Sequence, residues 1–334
     1  MKTRTFFFLC SICISFLLSG CSKDDGPAPI IEPIDDNSLP SAAILGIQVL
    51  EKTDKDIKFR LNVAVFRDSE NVEKNLDGSS FRIDSVNVWG YQYGFHNTVS
   101  QLMGGSATAN YSALMLLDQS GSISITDPDN YRLEASKIFC SNLGDGNNTA
   151  LWYFNNYSYT SLVDFTTDTA KVIAEIEKLR DQEGGSTPLY EAQYDAINYT
   201  KQNSNKPRKA ILTFTDGQDS YFGKTSEEVK DLAKSQQVAL YNIGLGEVNT
   251  YDLQQQATET GGGFLYAKDA RQLISIFGNL GKLLDKTAAF YQTEWTLSSP
   301  NTDARLSSGE IGQELQITFP FGGQITIPFH FKYE

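Results

Sequence analysis

Histidine and cysteine are scarce in this chain: 334 residues include two histidines and four cysteines. Cys10 and Cys13 fall inside an apolar N-terminal run, and Cys21 follows it after Ser19 and Gly20. Cys140 is therefore alone in the body of the chain, which excludes an intrachain disulfide there. It sits in RLEASKIFCSNL, an amphipathic helical pattern, where a small apolar thiol is read as packing. His96 and His330 lie in strand-like flanks, so neither is placed as a catalytic base. The sequence has no G-x-S-x-G elbow, no H-E-x-x-H pair and no G-x-x-x-x-G-K loop. An enzyme is therefore not expected. Positive charge is short as well, 28 Lys and Arg against 41 Asp and Glu, a formal net charge of -13. That balance argues against a nucleic acid partner. The apolar run Phe6 to Leu18 is too short for a comfortable membrane span.

What the N-terminus does have is a basic start, Lys2 and Arg4, then that apolar run, then LLSGC. Residues 1–20 read as a targeting segment. LLSGC resembles the lipobox of bacterial lipoproteins, which implies cleavage before Cys21 and a lipid on its thiol, anchoring the protein to a membrane. The next residues, SKDDG, resemble a short acidic signal for surface export. The expected location is the bacterial outer membrane, lipid-anchored and facing outward. Residues 21–42, rich in Pro, Asp and Gly without apolar period, read as a flexible tether.

Residues 43–105 carry strand signals, AILGIQVLE, IKFRLNVAVF, SFRIDSVNVW and YQYGF, between turns such as KTDKD and NLDGSS. Residues 288–334 look the same, with FYQTEWTLSS, ELQITFPF and GQITIPFHFKY. Neither flank has enough strands for a stable sandwich alone, but together they supply about seven, as an immunoglobulin-like sandwich needs. One β domain built from both ends of the chain is expected, the alternative being two small sheets packed on the middle. In residues 106–287 the apolar runs ALMLL, TALWYF, AILTF and VALYNI read as strands buried on both faces. Helical stripes alternate with them: Val172, Ile173, Ile176 and Leu179; Val229, Leu232 and Ala233; Leu273, Phe277, Leu280 and Leu284. The fold class is α/β, a doubly wound and mostly parallel sheet inserted in or flanked by the all-β part.

Ligands of such sheets bind at the carboxyl ends of the strands. LMLLDQSGSIS puts Asp118, Ser120 and Ser122 there, with Gly121 allowing a sharp turn. GGSTPLYEA carries Thr187 before Pro188 at a helix start, and ILTFTDGQDS puts Asp216 after another buried strand. Two carboxylates and three hydroxyls, all oxygen donors, suit a hard divalent cation: Mg²⁺ first, with Mn²⁺ or Ca²⁺ as alternatives. D-x-S-x-S, the Thr of GGSTPLYEA and TDG, in this order, resemble the von Willebrand factor A domain and its metal-ion-dependent adhesion site. GGGFLYAKDARQLISIFGNL resembles the family's last strand and helix. The resemblance covers roughly 110–286. It implies that Ser120 and Ser122 bind the metal through their hydroxyls, Asp118 and Asp216 directly or through water, and that Thr187 joins when a ligand arrives. It also implies that an acidic group of a partner completes the coordination.

Other residues carry weaker signals. TDPDN, 127–130 with Thr126, resembles half a calcium loop, but Tyr131 stands where Asp or Asn is needed, so a turn and helix cap is expected. Gln218 and Asp219 are candidates for the surroundings of the metal or for its rim, and the aromatic stretch 155–167 for a partner contact or for core. The function expected is a lipid-anchored binding protein for a protein or matrix ligand that supplies a carboxylate. The alternative is an envelope assembly or scaffold component using the same site on a fixed partner.

Overall fold

The computed structural model describes residues 39–106 and 110–334. The leader, Cys21, the SKDDG stretch and nearly all of the tether lie outside the described residues. From the N-terminal side come β1 (Ser41–Lys52), β2 (Asp56–Phe66), β3 (Phe81–Ile83), β4 (Val86–Val88) and β5 (Tyr91–Met103). The middle runs β6 (Tyr111–Asp118), α1 (Ile123–Thr126), α2 (Tyr131–Ser141), β7 (Asn148–Asn155), β8 (Ser158–Thr166), α3 (Thr169–Glu177) and α4 (Leu189–Asn203). It continues through β9 (Arg208–Thr215), α5 (Ser226–Gln236), β10 (Ala239–Leu245), α6 (Thr250–Glu259), β11 (Gly263–Ala267) and α7 (Gln272–Leu284). Then follow β12 (Phe290–Ser298), β13 (Gly309–Thr318) and β14 (Gln324–Tyr333). Among the described residues no helix is long and apolar enough to cross a membrane.

The fold is α/β. Strands β11, β10, β9, β6 and β7 are parallel neighbours in that order, and β8 closes the far edge antiparallel to β7. β6 is buried along its whole length, as a strand covered on both faces must be. Its Ala113, Met115 and Leu117 face a layer with apolar residues of α2, α3 and α7. Leu114 and Leu116 face the opposite layer with those of α4, α5 and α6. Cys140 packs in the first layer, and burial pushes its thiol up to about 12, so it is inert as a nucleophile.

The β flanks do come together, but not as a free-standing sandwich. β1 pairs antiparallel with β11, through Ala43↔Leu265 and Ile44↔Phe264, and β2, β12, β5 and β4 follow outward. The larger β layer is thus continuous with the parallel sheet. The physical reason is that β11 would otherwise present an unpaired edge, which β1 covers. A separate three-stranded sheet, β14-β13-β3, packs over this extension. Its core includes Leu61, Trp295 and Leu315, with Phe59 and Phe331 stacked at 4.6 Å between centroids. β1 straddles the two regions: Ala43 lies in the helical core, Ala42 and Ile44 in the β core.

The N-terminal segment also straps α7. Gln272 Nε2 donates to the Pro40 carbonyl at 2.8 Å, Ser275 Oγ to that of Leu39 at 2.7 Å, and Asn279 Nδ2 to that of Asp68 at 2.8 Å. Between them Gly278 lets the strap approach: a Cβ there would lie 2.3 Å from the Ser69 carbonyl oxygen. Gly278→Ala is therefore expected to destabilise by about 1–3 kcal/mol through forced displacement, although alanine is the better helix former by about 1 kcal/mol. Urea denaturation checks this, and an unchanged or raised midpoint would contradict the close packing.

Candidate metal centre

β6 and β9 are adjacent and parallel, with Leu117 opposite Phe214. Strand order reverses here, β7 lying to one side of β6 and β9 to the other. At such a switch point the loops after the two strands diverge and leave a crevice. Asp118 ends β6, and Asp216 follows Thr215, the last residue of β9. The third loop is held to the first by Gly121 N donating to the Gly185 carbonyl at 3.0 Å and Gly184 N to that of Gln119 at 2.9 Å. It is held to the second by Ser220, whose N donates to the Thr187 carbonyl at 3.0 Å while its Oγ accepts from Thr187 N at 2.8 Å.

The structure brings the five predicted residues together. Ser120 Oγ and Ser122 Oγ are 3.2 Å apart, and Ser122 Oγ donates to Asp216 Oδ1 at 2.7 Å. Thr126 Oγ1 donates to the other Asp216 oxygen. Asp118 is fully buried, accepting from Ser120 N at 2.8 Å and from Thr215 Oγ1 at 2.6 Å. Burial pushes its carboxyl up to about 6; the bonds from Ser120 and Thr215 oppose this, and the neighbouring Asp216 charge adds to it. A cation beside it would reverse that cost.

The donor set fits a hard cation. Ser122 precedes α1 but makes no side-chain capping bond, and α4 is capped at Pro188 without one. The Thr187 side chain makes no hydrogen bond among the described residues, and the adjacent Ser186 Oγ is buried without a partner. A Cβ on Gly217 would lie 3.4 Å from Thr187 Oγ1 and 3.8 Å from Ser122 Oγ, so glycine leaves open the gap these hydroxyls border. Among the described residues no three His, Cys, Asp or Glu side chains form a metal-holding group. A cation here would be held by two carboxylates supplemented with hydroxyls, the hard-oxygen chemistry of Mg²⁺ or Mn²⁺.

Sequence reasoning missed what holds these loops. Arg132, on α2, is fully buried and donates to Gln119 Oε1 from Nε at 3.0 Å and Nη2 at 2.6 Å. It pairs with Asp127 at 3.1 Å and with Glu183. Gln119 lies between Asp118 and Ser120, and its Nε2 donates to the Leu179 carbonyl at 2.7 Å. Arg132 thus joins the first metal loop to the segment leading into the third. Asp127 also caps α2, accepting from Tyr131 N at 2.7 Å and Arg132 N at 3.0 Å, so TDPDN is a cap and ion-pair element. Asp219 accepts from Tyr190 N at 3.1 Å at the start of α4, while Gln218 is exposed. Residues 155–167 divide: β8 is a nine-residue edge strand, Trp152 stacks on Tyr159 at 4.9 Å, and Tyr157 is exposed at the turn. His96 lies on β5, and His330 on β14 shares a 2.8 Å hydrogen bond with Thr250 Oγ1.

Residues 114–279 match the family model of the von Willebrand factor type A domain. The chain carries such a domain, and the parallel sheet with its two helical layers is its α/β core. Domains of this family commonly bind a divalent cation at a metal-ion-dependent adhesion site. Similar solved structures include proximal thread matrix protein 1 of the mussel byssus, 21% identical over 57% of this chain and 50% of that one, TM-score 0.46. A form of that protein with a zinc-occupied adhesion-site motif is 20% identical over 58% and 49%, TM-score 0.44. A von Willebrand factor type A structure from Catenulispora acidiphila is 12% identical over 89% and 74%, TM-score 0.43. The match spans about half the length of the byssus protein. No curated protein matches the chain.

Proposed function

We propose that this chain is a binding protein, lipid-anchored through Cys21 at the outer membrane and exposed at the cell surface. Its type A domain would hold a divalent cation, Mg²⁺ first, on Ser120, Ser122 and Thr187 with Asp118 and Asp216 directly or through water. A protein or matrix partner would supply a carboxylate to the same ion. The reading is carried by one observation: Ser120, Ser122 and Asp216 form a continuous hydrogen-bonded chain beside the Thr187 hydroxyl, which takes no hydrogen bond among the described residues. Hydroxyl ligands leave much of the cation's charge uncompensated, and that residual charge attracts a further hard oxygen. Binding is favoured over catalysis because, among the described residues, neither histidine is hydrogen-bonded to the five site residues: His96 lies on β5, and His330 bonds Thr250.

A pull-down from envelope and host-matrix material, run in Mg²⁺ and in EDTA, tests this. Partners are expected to be retained in Mg²⁺, released by EDTA and recovered when Mg²⁺ is restored. Retention unchanged by EDTA would sink the metal-bridged mechanism.

A further inference from the structure

Exposed large apolar side chains gather around the metal loops. Ile125, three residues after Ser122, is 81% exposed, Tyr157 is 74% exposed, and Phe222 is fully exposed. Each is tied to a metal loop. Ile125 precedes Thr126, which donates to Asp216. Tyr157 follows Asn156, whose side chain fills the space beside Gly185 in the Thr187 loop. Tyr221 follows Ser220, which is hydrogen-bonded to Thr187 on both backbone groups. The Tyr157 and Tyr221 rings are 6.3 Å apart and inclined at 50°. They form a notch rather than a flat platform. Tyr221 and Phe222 also line the mouth of an adjoining cleft of about 720 Å³, with Tyr190, Asp219, Lys224 and Tyr251.

We infer that the partner is a polypeptide whose acidic side chain is flanked by large apolar or aromatic side chains, the acid meeting the cation and its neighbours packing on Tyr157, Tyr221, Phe222 and Ile125. The inference rests on the metal-bridged reading above and names its ligand. Two arguments support it. The chain carries a net charge of -13, so an acidic ligand meets long-range repulsion that one divalent ion offsets only locally. Apolar contact beside the ion then supplies what electrostatics does not, as anchor side chains do at the centres of interfaces. Second, a tilted aromatic pair admits an inserted side chain, whereas sugar rings stack on open flat faces.

Synthetic peptides Gly-Phe-Asp-Phe-Gly, Gly-Gly-Asp-Gly-Gly and Gly-Phe-Asn-Phe-Gly, with an oligouronate, serve as probes, titrated into the Mg²⁺-loaded chain. The Phe-flanked Asp peptide is expected to bind at least about tenfold more tightly than the other two peptides, a difference of about 1.4 kcal/mol. Tyr157→Ser and Phe222→Ser should remove that preference while leaving Mg²⁺ affinity unchanged. Both side chains point into solvent, so the fold tolerates the change; Phe321→Ser, at a distant exposed aromatic, is the control and should have no effect. Equal binding of both Asp peptides, no binding of either, or tighter binding of the oligouronate would each overturn the inference. Failure of the wild type to bind Mg²⁺ would instead overturn the reading on which it rests.

Discussion

Asp118→Ala is expected to melt at the same temperature in Mg²⁺ and in EDTA, whereas the wild type gains stability with the ion. Selective binding to the folded state stabilises by about 2.7 kcal/mol at a hundredfold excess of ligand over Kd. For a chain of this size that is a shift on the order of 5 °C. The alanine variant loses more than a ligand, since Asp118 accepts hydrogen bonds from Ser120 N and Thr215 Oγ1 in a buried setting. An orphaned buried partner costs about 1–3 kcal/mol. Against this, the substitution removes a carboxylate that burial already disfavours in its charged form. Asp118→Asn separates the effects: it keeps an acceptor, removes the charge, and should match the wild type in EDTA while losing the response to Mg²⁺. Scanning fluorimetry of all three forms decides the matter, and a full Mg²⁺ shift in both variants would remove Asp118 from the site.

Arg132→Met should be the most destabilising substitution near the site. Arg132 is buried, and its removal leaves Asp127, also buried, with backbone partners only, and strips Glu183 of its ion pair. Breaking a buried pair on one side costs about 3–5 kcal/mol, a drop on the order of 10 °C in Tm. The same change frees Gln119 and the approach to the Thr187 loop, so Mg²⁺ affinity should fall about 10- to 100-fold, as when a residue orienting a metal ligand is lost. Arg132→Lys keeps the charge but not the planar fork that reaches Gln119, Asp127 and Glu183 together, so it should fall between the two. Denaturation midpoints and calorimetric Mg²⁺ titrations give both numbers. A Met variant as stable as the wild type would show that the cluster is dispensable.

Much of the candidate site was legible in the sequence because its parts are local. A fully buried strand that stops at Asp118 fixes the direction of the residues that follow. The same logic placed Asp216 after β9 and Thr187 before α4. The alternation of buried strands with amphipathic stripes gave the parallel sheet for the same reason: each element's burial is written in its own period.

Three things were decided only in three dimensions. The β flanks extend the parallel sheet because β1 pairs with β11, and such pairing is made by backbone groups that every residue carries, so no side chain announces it. Arg132 joins positions 119, 127 and 183, three points with no common spacing, so nothing in the sequence marks it as their junction. Ile125, Tyr157, Tyr221 and Phe222 are exposed on loops after β6, β7 and β9 that the strand order brings to the same sheet edge. The sequence by itself determined which atoms offer to hold a cation. The tertiary structure decided what holds those atoms in place and what surrounds them, because both depend on contacts between segments far apart along the chain.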